Sequence, residues 1–175
     1  ATCLGGRTLH AALLARADFA ARAPHSWRPC VSAGAALPAD LGNRGRYKTG
    51  SDIRYGLGST EMLHIFLPNH PDDVCYGTTG RPVPGYAVRV VDDAGNLVAP
   101  GEIGELQVSG PTSSPYYWNN RAKSLATFLG PWTRSGDKYI VEAEGPEVYC
   151  GRTGDQLKVG GRYVAPFEVG EGVPT

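Results

Sequence analysis

The chain changes its periodicity once, near Thr79, and that change restricts the folds open to it. Before it, short apolar runs alternate with helix-length segments. Cys30-Val31-Ser32 reads as a buried strand, Pro38 suits the first turn of a helix running to about Lys48, Gly50 can end that helix, and Ile53-Arg54-Tyr55 resumes as a strand. After it, Arg81-Pro82-Val83-Pro84-Gly85 interrupts any helix. Tyr86, Val88 and Val90 then alternate with Ala87, Arg89 and Val91, the period of two that belongs to a strand. The first pattern predicts an α/β unit and the second an antiparallel β subdomain.

Within that frame, Leu9, Leu13 and Ala20 can share one face of an amphipathic helix from Thr8 to Ala23. Asp92-Asp93-Ala94-Gly95-Asn96 is a turn signal, Leu97-Val98 returns beside the strand before it, and Glu105 to Ser109 reads as another strand. A small antiparallel sheet or barrel follows, with one short helix from about Asn120 to Phe128. Tyr139-Ile140-Val141 and Glu147-Val148-Tyr149-Cys150 read as a hairpin. The expected divisions are 1–80, 81–150 and 151–175.

Composition removes several function classes. A chain of 175 residues with 41% apolar content can bury one sizeable core. Seventeen basic residues balance 17 acidic ones, so no global field favours nucleic acid or an anionic membrane, and a small or neutralised substrate is expected. Cys3, Cys30, Cys75 and Cys150 form no CxxC pair, which argues against a zinc site and gives no disulfide framework; a reducing cytoplasm is the simplest setting. No apolar run approaches the roughly 20 residues that span a bilayer, and no secretory leader opens the chain. Both ends, Ala1 and Thr175, read as cut.

The chemistry concentrates in three stretches. Leu57-Gly58-Ser59-Thr60-Glu61 sets a tight turn, two hydroxyls and a carboxylate where a strand ends. A hydroxyl donates to a phosphate oxygen, and a carboxylate is a hard ligand suited to Mg²⁺, which one or two carboxylates and substrate phosphates usually hold. The competing reading is a helix cap, because Ser or Thr followed by Glu often opens a helix. Trp132-Thr133-Arg134-Ser135-Gly136-Asp137 places a carboxylate after a tight turn, at the start of the Tyr139 strand. Gly151-Arg152-Thr153-Gly154-Asp155-Gln156-Leu157-Lys158-Val159-Gly160-Gly161 adds a permanently charged fork at Arg152.

In this order, joined by Gly104 to Gly110, these stretches resemble the core motifs of the adenylate-forming (acyl-CoA synthetase, AMP-binding) family. Gly58-Ser59-Thr60-Glu61-Met62-Leu63-His64-Ile65-Phe66-Leu67 and Tyr117-Trp118-Asn119-Asn120-Arg121-Ala122-Lys123-Ser124 bring it nearest the benzoate-CoA ligase group. The likeness runs from about Thr8 to Val169. It implies part of the large α/β domain with its β-rich subdomain, ending in a hinge and the start of the small carboxyl-terminal domain. It implies ATP, Mg²⁺ and CoA as cofactors, an aromatic carboxylate as substrate, no nucleic acid and no membrane span.

The resemblance also assigns roles residue by residue. Thr60 and Glu61 are catalytic, with Glu61 the Mg²⁺ ligand. Gly34, Ala35, Leu57, Gly58, Ser59, Thr60, Asp137 and Arg152 line the nucleotide, Asp137 on the ribose hydroxyls and Leu57 where many relatives place a stacking tyrosine. Met62, Leu63, His64 and Ile65 are acyl-pocket candidates, although His64 alone reads more simply as a structural histidine. Gly154 and Asp155 mark the hinge, with glycine where an acidic residue or lysine is usual, and Gly160 and Gly161 let the pantetheine arm of CoA pass. The family's phosphate loop ending in Lys-Gly and its late lysine are both missing from these residues, so the reading is a fragment of an enzyme, inactive by itself. A non-catalytic AMP-binding remnant and an amino-acid adenylation domain of a peptide synthetase are the alternatives.

Overall fold

The computed structural model describes residues 3–22, 30–34, 37–141, 148–152, 157–159 and 162–164. The chain divides into two compact units, Ala1–Pro84 and Gly85–Thr175.

In the first unit, β1 (Cys3–Gly5), β2 (Cys30–Ser32) and β3 (Ile53–Gly58) run parallel in that spatial order, and β4 (Ile65–Pro68) adds an antiparallel edge to β3. Parallel neighbours need crossovers. Helices α1 (Arg7–Ala15) and α2 (Phe19–Arg22) connect β1 to β2, and α3 (Ala39–Thr49) connects β2 to β3, so the α/β expectation holds. Leu14, Leu41, Ile53 and Tyr55 meet in the core of this unit. Fully burying a side chain of the leucine or isoleucine class contributes about 1.5–3 kcal/mol.

Helix α3 follows its sequence signals closely. Pro38 is its N-cap, Asp40 lies in the first turn, and Arg46 and Lys48 lie in the last, which complements the helix dipole. Gly50 ends it in the left-handed region with φ 69°, its N–H donating to the Arg46 carbonyl at 2.8 Å. A Cβ on Gly45 would sit 2.6 Å from Ile53 Cδ1, so the absent side chain lets α3 pack directly on β3.

The first helix departs from expectation. The spacing predicts one helix over Thr8 to Ala23, but α1 stops at Ala15, and Arg16 is extended at φ −70°, ψ 131°. Arg16 forms a two-point ion pair with Asp18 at 3.0 and 3.1 Å across the break. A break there cancels the phase relation between Leu9 and Ala20 on which the predicted face rested. Leu9 is 48% exposed, while His10 and Leu14, one residue on, are buried. The imidazole of His10 donates from Nε2 to the Val31 carbonyl at 3.2 Å and fixes that face against β2.

The second unit is antiparallel, as the period of two predicts. β5 (Ala87–Val91), β6 (Ile103–Ser109) and β8 (Trp132–Ile140) pair in that order, and β8 also pairs with β7 (Phe128–Leu129) at its start and β9 (Val148–Arg152) at its end. Helix α4 (Arg121–Thr127) begins at Asn120, whose Oδ1 accepts from the Lys123 N–H at 3.1 Å. Val90, Leu106, Val108 and Tyr139 are buried. The alternate positions carry polar pairs: Arg89 donates to Gln107 at 2.9 Å and lies 4.2 Å over the Trp132 ring, and Arg134 meets Glu105 at 2.6 Å. Strand β8 begins at Trp132, so Asp137 sits inside a long strand rather than at the start of a short one. Separately, β10 (Leu157–Val159) pairs antiparallel with β11 (Arg162–Val164).

Candidate functional site

The first group of predicted residues gathers at the carboxyl edge of the parallel strands. β2 and β3 are in register from Cys30↔Ile53 to Ser32↔Tyr55, so the chain leaves both strands toward the same edge, Gly34 after one and Ser59 after the other. In open α/β sheets that edge is where ligands bind. Gly34 has φ +87°, with open space where a Cβ would be. Ala35 lies outside the described residues.

Residues 59–64 form the loop of the β3–β4 hairpin, and no helix follows Glu61. The cap reading is therefore overturned: Met62 N–H donates to the Ser59 carbonyl and hydroxyl, both at 3.3 Å, and Leu63 N–H to the Thr60 carbonyl at 3.2 Å, which are turn bonds. Gly58 makes the hairpin possible, since a Cβ there would lie 2.6 Å from the His64 carbonyl oxygen. The ladder is irregular between Leu57 and Gly58, and Leu57 is half-buried. Thr60 is exposed at the tip and Glu61 is half-buried beside it.

The four pocket candidates occupy different environments. Met62 is fully buried beneath the hairpin, and Leu63 is 75% exposed with φ +68°. His64 is exposed and donates from Nδ1 to the Ile65 carbonyl at 2.7 Å, which fixes its tautomer. Ile65 is half-buried in β4.

Sequence reasoning missed Asn69. Its buried amide accepts from the Tyr55 N–H at 3.2 Å and donates to the Thr78 carbonyl at 3.3 Å, holding β3 and the 75–79 loop together. A Pro-Asn-His-Pro run signals a turn and says nothing of a buried amide.

The second group belongs to the β sheet. Asp137 is buried and sits in a bulge: β6 uses Glu105 to Gln107 where β8 uses Arg134 to Lys138. Gly136 turns there with φ +77°. The Ser135 hydroxyl donates to the Leu106 carbonyl at 2.9 Å and accepts the Asp137 N–H at 3.1 Å. Bulges re-aim strand residues beside active sites. Across the ladder, Asp137 is the backbone register partner of Arg152, so the two residues assigned to one nucleotide are neighbouring positions on β8 and β9. The Glu105 carboxylate beside Arg134 holds that guanidinium above its ordinary range. Gly154, Asp155, Gly160 and Gly161 lie outside the described residues.

The donor set suits the implied groups. Among the described residues no three His, Cys, Asp or Glu side chains converge, so a cation at Glu61 would complete its shell from phosphate oxygens and water. Mg²⁺ accepts that arrangement. Among the same residues no helix is long and apolar enough to cross a membrane.

A family model described as AMP-binding enzyme matches residues 2–118. The chain belongs to that family. Over 166 residues it is 54% identical to the benzoate-CoA ligase of Thauera aromatica, a match covering 94% of this chain and 32% of that enzyme. The structure of a benzoate CoA ligase from Burkholderia xenovorans LB400 superposes with a TM-score of 0.89 at 51% identity, over 96% of this chain and 34% of that one. The anthranilate CoA ligase AuaEII, solved with anthranoyl-AMP, gives 0.92 at 45%, over 96% and 33%. This chain thus spans about a third of the length of its relatives.

Proposed function

We propose that this chain supplies part of the catalytic centre of an aryl-CoA ligase, which joins an aromatic carboxylate to the α-phosphate of ATP, releases pyrophosphate, and then passes the acyl group to CoA with loss of AMP. The observation that carries this reading is the shared carboxyl edge of β2 and β3, where Gly34 and the Ser59-Thr60-Glu61 loop emerge together. The 54% identity with an enzyme named for benzoate and CoA supports the substrate class.

In this reading the exposed Thr60 hydroxyl donates to a phosphate oxygen, and Glu61 presents negative charge beside it. Mg²⁺, when bound, neutralises the charge that builds on the phosphoryl oxygens. Asp137 accepts from the ribose hydroxyls and Arg152 adds a fixed positive fork, while Gly34, Ala35, Leu57 and Gly58 offer the flat base a surface of small and aliphatic groups. Met62, Leu63, His64 and Ile65 lie toward the acyl group, Gly154 and Asp155 form the pivot, and Gly160 with Gly161 clears the path of CoA. Catalysis of this kind is mostly positioning and electrostatics. The reducing cytoplasm is the compartment that fits these cofactors.

The test is a chimera. The matching third of the Thauera benzoate-CoA ligase is replaced by this chain and assayed for benzoate- and ATP-dependent release of pyrophosphate and formation of benzoyl-CoA. The chimera is expected to turn over, whereas the 175-residue chain alone forms no acyl-adenylate. A folded chimera that binds ATP and releases no pyrophosphate with any aromatic acid would overturn the proposal. Turnover at enzymic rates by the chain alone would overturn its partial character.

A further inference from the structure

β1 and β2 bring two cysteines into register at the edge of the parallel sheet. Cys3 and Cys30 are direct partners in the β1–β2 ladder, both thiols are free, Cys30 is buried and Cys3 is half-buried. Strands in a sheet lie about 4.7–4.9 Å apart. A disulfide needs Cα atoms about 4.4–6.8 Å apart, and the spacing of register partners on neighbouring strands falls in that range.

We propose that Cys3 and Cys30 form a reversible intramolecular disulfide when the chain meets a small-molecule disulfide, making this sheet edge a thiol oxidation site. It stands apart from the ligase chemistry.

The two sulfurs have unequal roles. The Cys30 thiol is pushed up to about 11 by burial, by the charge of a Cys3 thiolate and by its hydrogen bond to Cys3. Cys3 is half-buried where Cys30 is buried, so the oxidant reaches Cys3 first. The thiolate is the nucleophile in exchange, so Cys3 attacks. One sulfur of the small disulfide bonds to Cys3 Sγ and the other leaves as a thiolate. Cys30 then gives up its proton to solvent and attacks Cys3 Sγ, expelling the second small thiolate. In sum, two protein thiols lose two electrons and two protons, and one small disulfide becomes two thiols.

Cys30 is a weak nucleophile at neutral pH, but it is the register partner of the residue it must attack, and proximity of that kind replaces a bimolecular encounter. In a reducing compartment such a bond is transient, forming only when the local thiol pool is oxidised. Cys75, exposed, and Cys150, buried in the second unit, are the internal controls.

The experiment incubates the 175-residue chain with oxidised glutathione in native buffer and in concentrated urea, quenches with acid, alkylates the remaining thiols and maps the linked peptides by mass. In native buffer the Cys3–Cys30 peptide is expected to exceed any linkage to Cys75 by about tenfold or more, from proximity alone. That preference should vanish in urea, and dithiothreitol should restore both thiols. Cys30→Ser should instead accumulate glutathione on Cys3. Equal linkage patterns in buffer and urea, a dominant partner other than Cys30, or a lasting glutathione adduct on Cys3 of the unmodified chain would each overturn the proposal.

Discussion

Replacing Ser135 with alanine isolates the device that shapes the Asp137 bulge. The hydroxyl serves two backbone groups at once, the Leu106 carbonyl at 2.9 Å and the Asp137 N–H at 3.1 Å. Leu106 is fully buried and Asp137 is 4% exposed, so neither group regains full hydration when the hydroxyl is lost. An unmade buried hydrogen bond costs about 1–3 kcal/mol, and two such groups set an upper range of about 2–6 kcal/mol. Ser135 itself is half-buried, which admits a water to one of the two groups and lowers the expectation to about 2 kcal/mol. Ser135→Thr keeps the hydroxyl and stays within about 0.5 kcal/mol of the parent.

Urea unfolding followed by circular dichroism measures the difference, with an unchanged denaturant slope required for a pure stability effect. Amide exchange at Asp137 supplies the local readout and should accelerate in Ser135→Ala alone. Equal midpoints for the parent and Ser135→Ala, with unchanged exchange at Asp137, would show that the hydroxyl does not hold the bulge.

The remaining expectations concern the hairpin, the ligand groups and alkaline pH. Gly58→Val should cost about 1–3 kcal/mol in thermal unfolding, because the added Cβ meets the His64 carbonyl oxygen at 2.6 Å and backbone cannot step aside as a side chain can. In the chimera, Glu61→Gln should keep the unfolding midpoint yet lower acyl-adenylate formation by about tenfold or more, since glutamine keeps the size and removes the charge that Mg²⁺ prefers; unchanged activity and Mg²⁺ dependence would leave Glu61 a turn residue. Asp137→Asn in the same chimera should raise the KM for ATP more than it lowers kcat with saturating ATP. At alkaline pH, Cys30 rises from 9.0 to about 11 in the folded chain, so its contribution is complete below pH 9 and is lost as pH climbs through 11. Stability measured across that window should fall less steeply in Cys30→Val than in the parent.

Much of the fold was legible because local chemistry and tertiary packing agree. Pro38, Asp40, Arg46, Lys48 and Gly50 mark both ends of α3, and the structure keeps both. The valine alternation after Tyr86 predicts β5, and the polar Asp92 turn returns the chain, with Asp92 Oδ1 accepting from the Ala94 and Asn96 N–H groups at 2.9 and 2.8 Å. The readings that failed needed long-range information. The break at Arg16 carries no glycine or proline to announce it, and the buried face shifted because His10 bonds to a strand residue 21 positions away. Strands β1, β4 and β7 were missed because their short runs show no period of their own.

The candidate motifs were legible one by one, and the ladder relates two of them, the stretch ending at Asp137 and the one holding Arg152. Between Gln107↔Arg134 and Glu105↔Lys138, β8 carries two more residues than β6, an even number. Alternation of side chains is therefore in phase on both sides of the bulge, and Arg134 reaches back across it to Glu105 at 2.6 Å. An odd insertion would have turned Lys138 to the face opposite Glu105. Removing Ser135 or Gly136 alone would leave such an odd insertion and put the alternation out of phase across the bulge. The Ser-Gly pair is thus two features in one. Glycine supplies the positive φ that the detour requires, serine replaces the backbone donor that the detour removes from Leu106, and together they let a continuous strand carry an aspartate at a place where the ladder itself has none to spare.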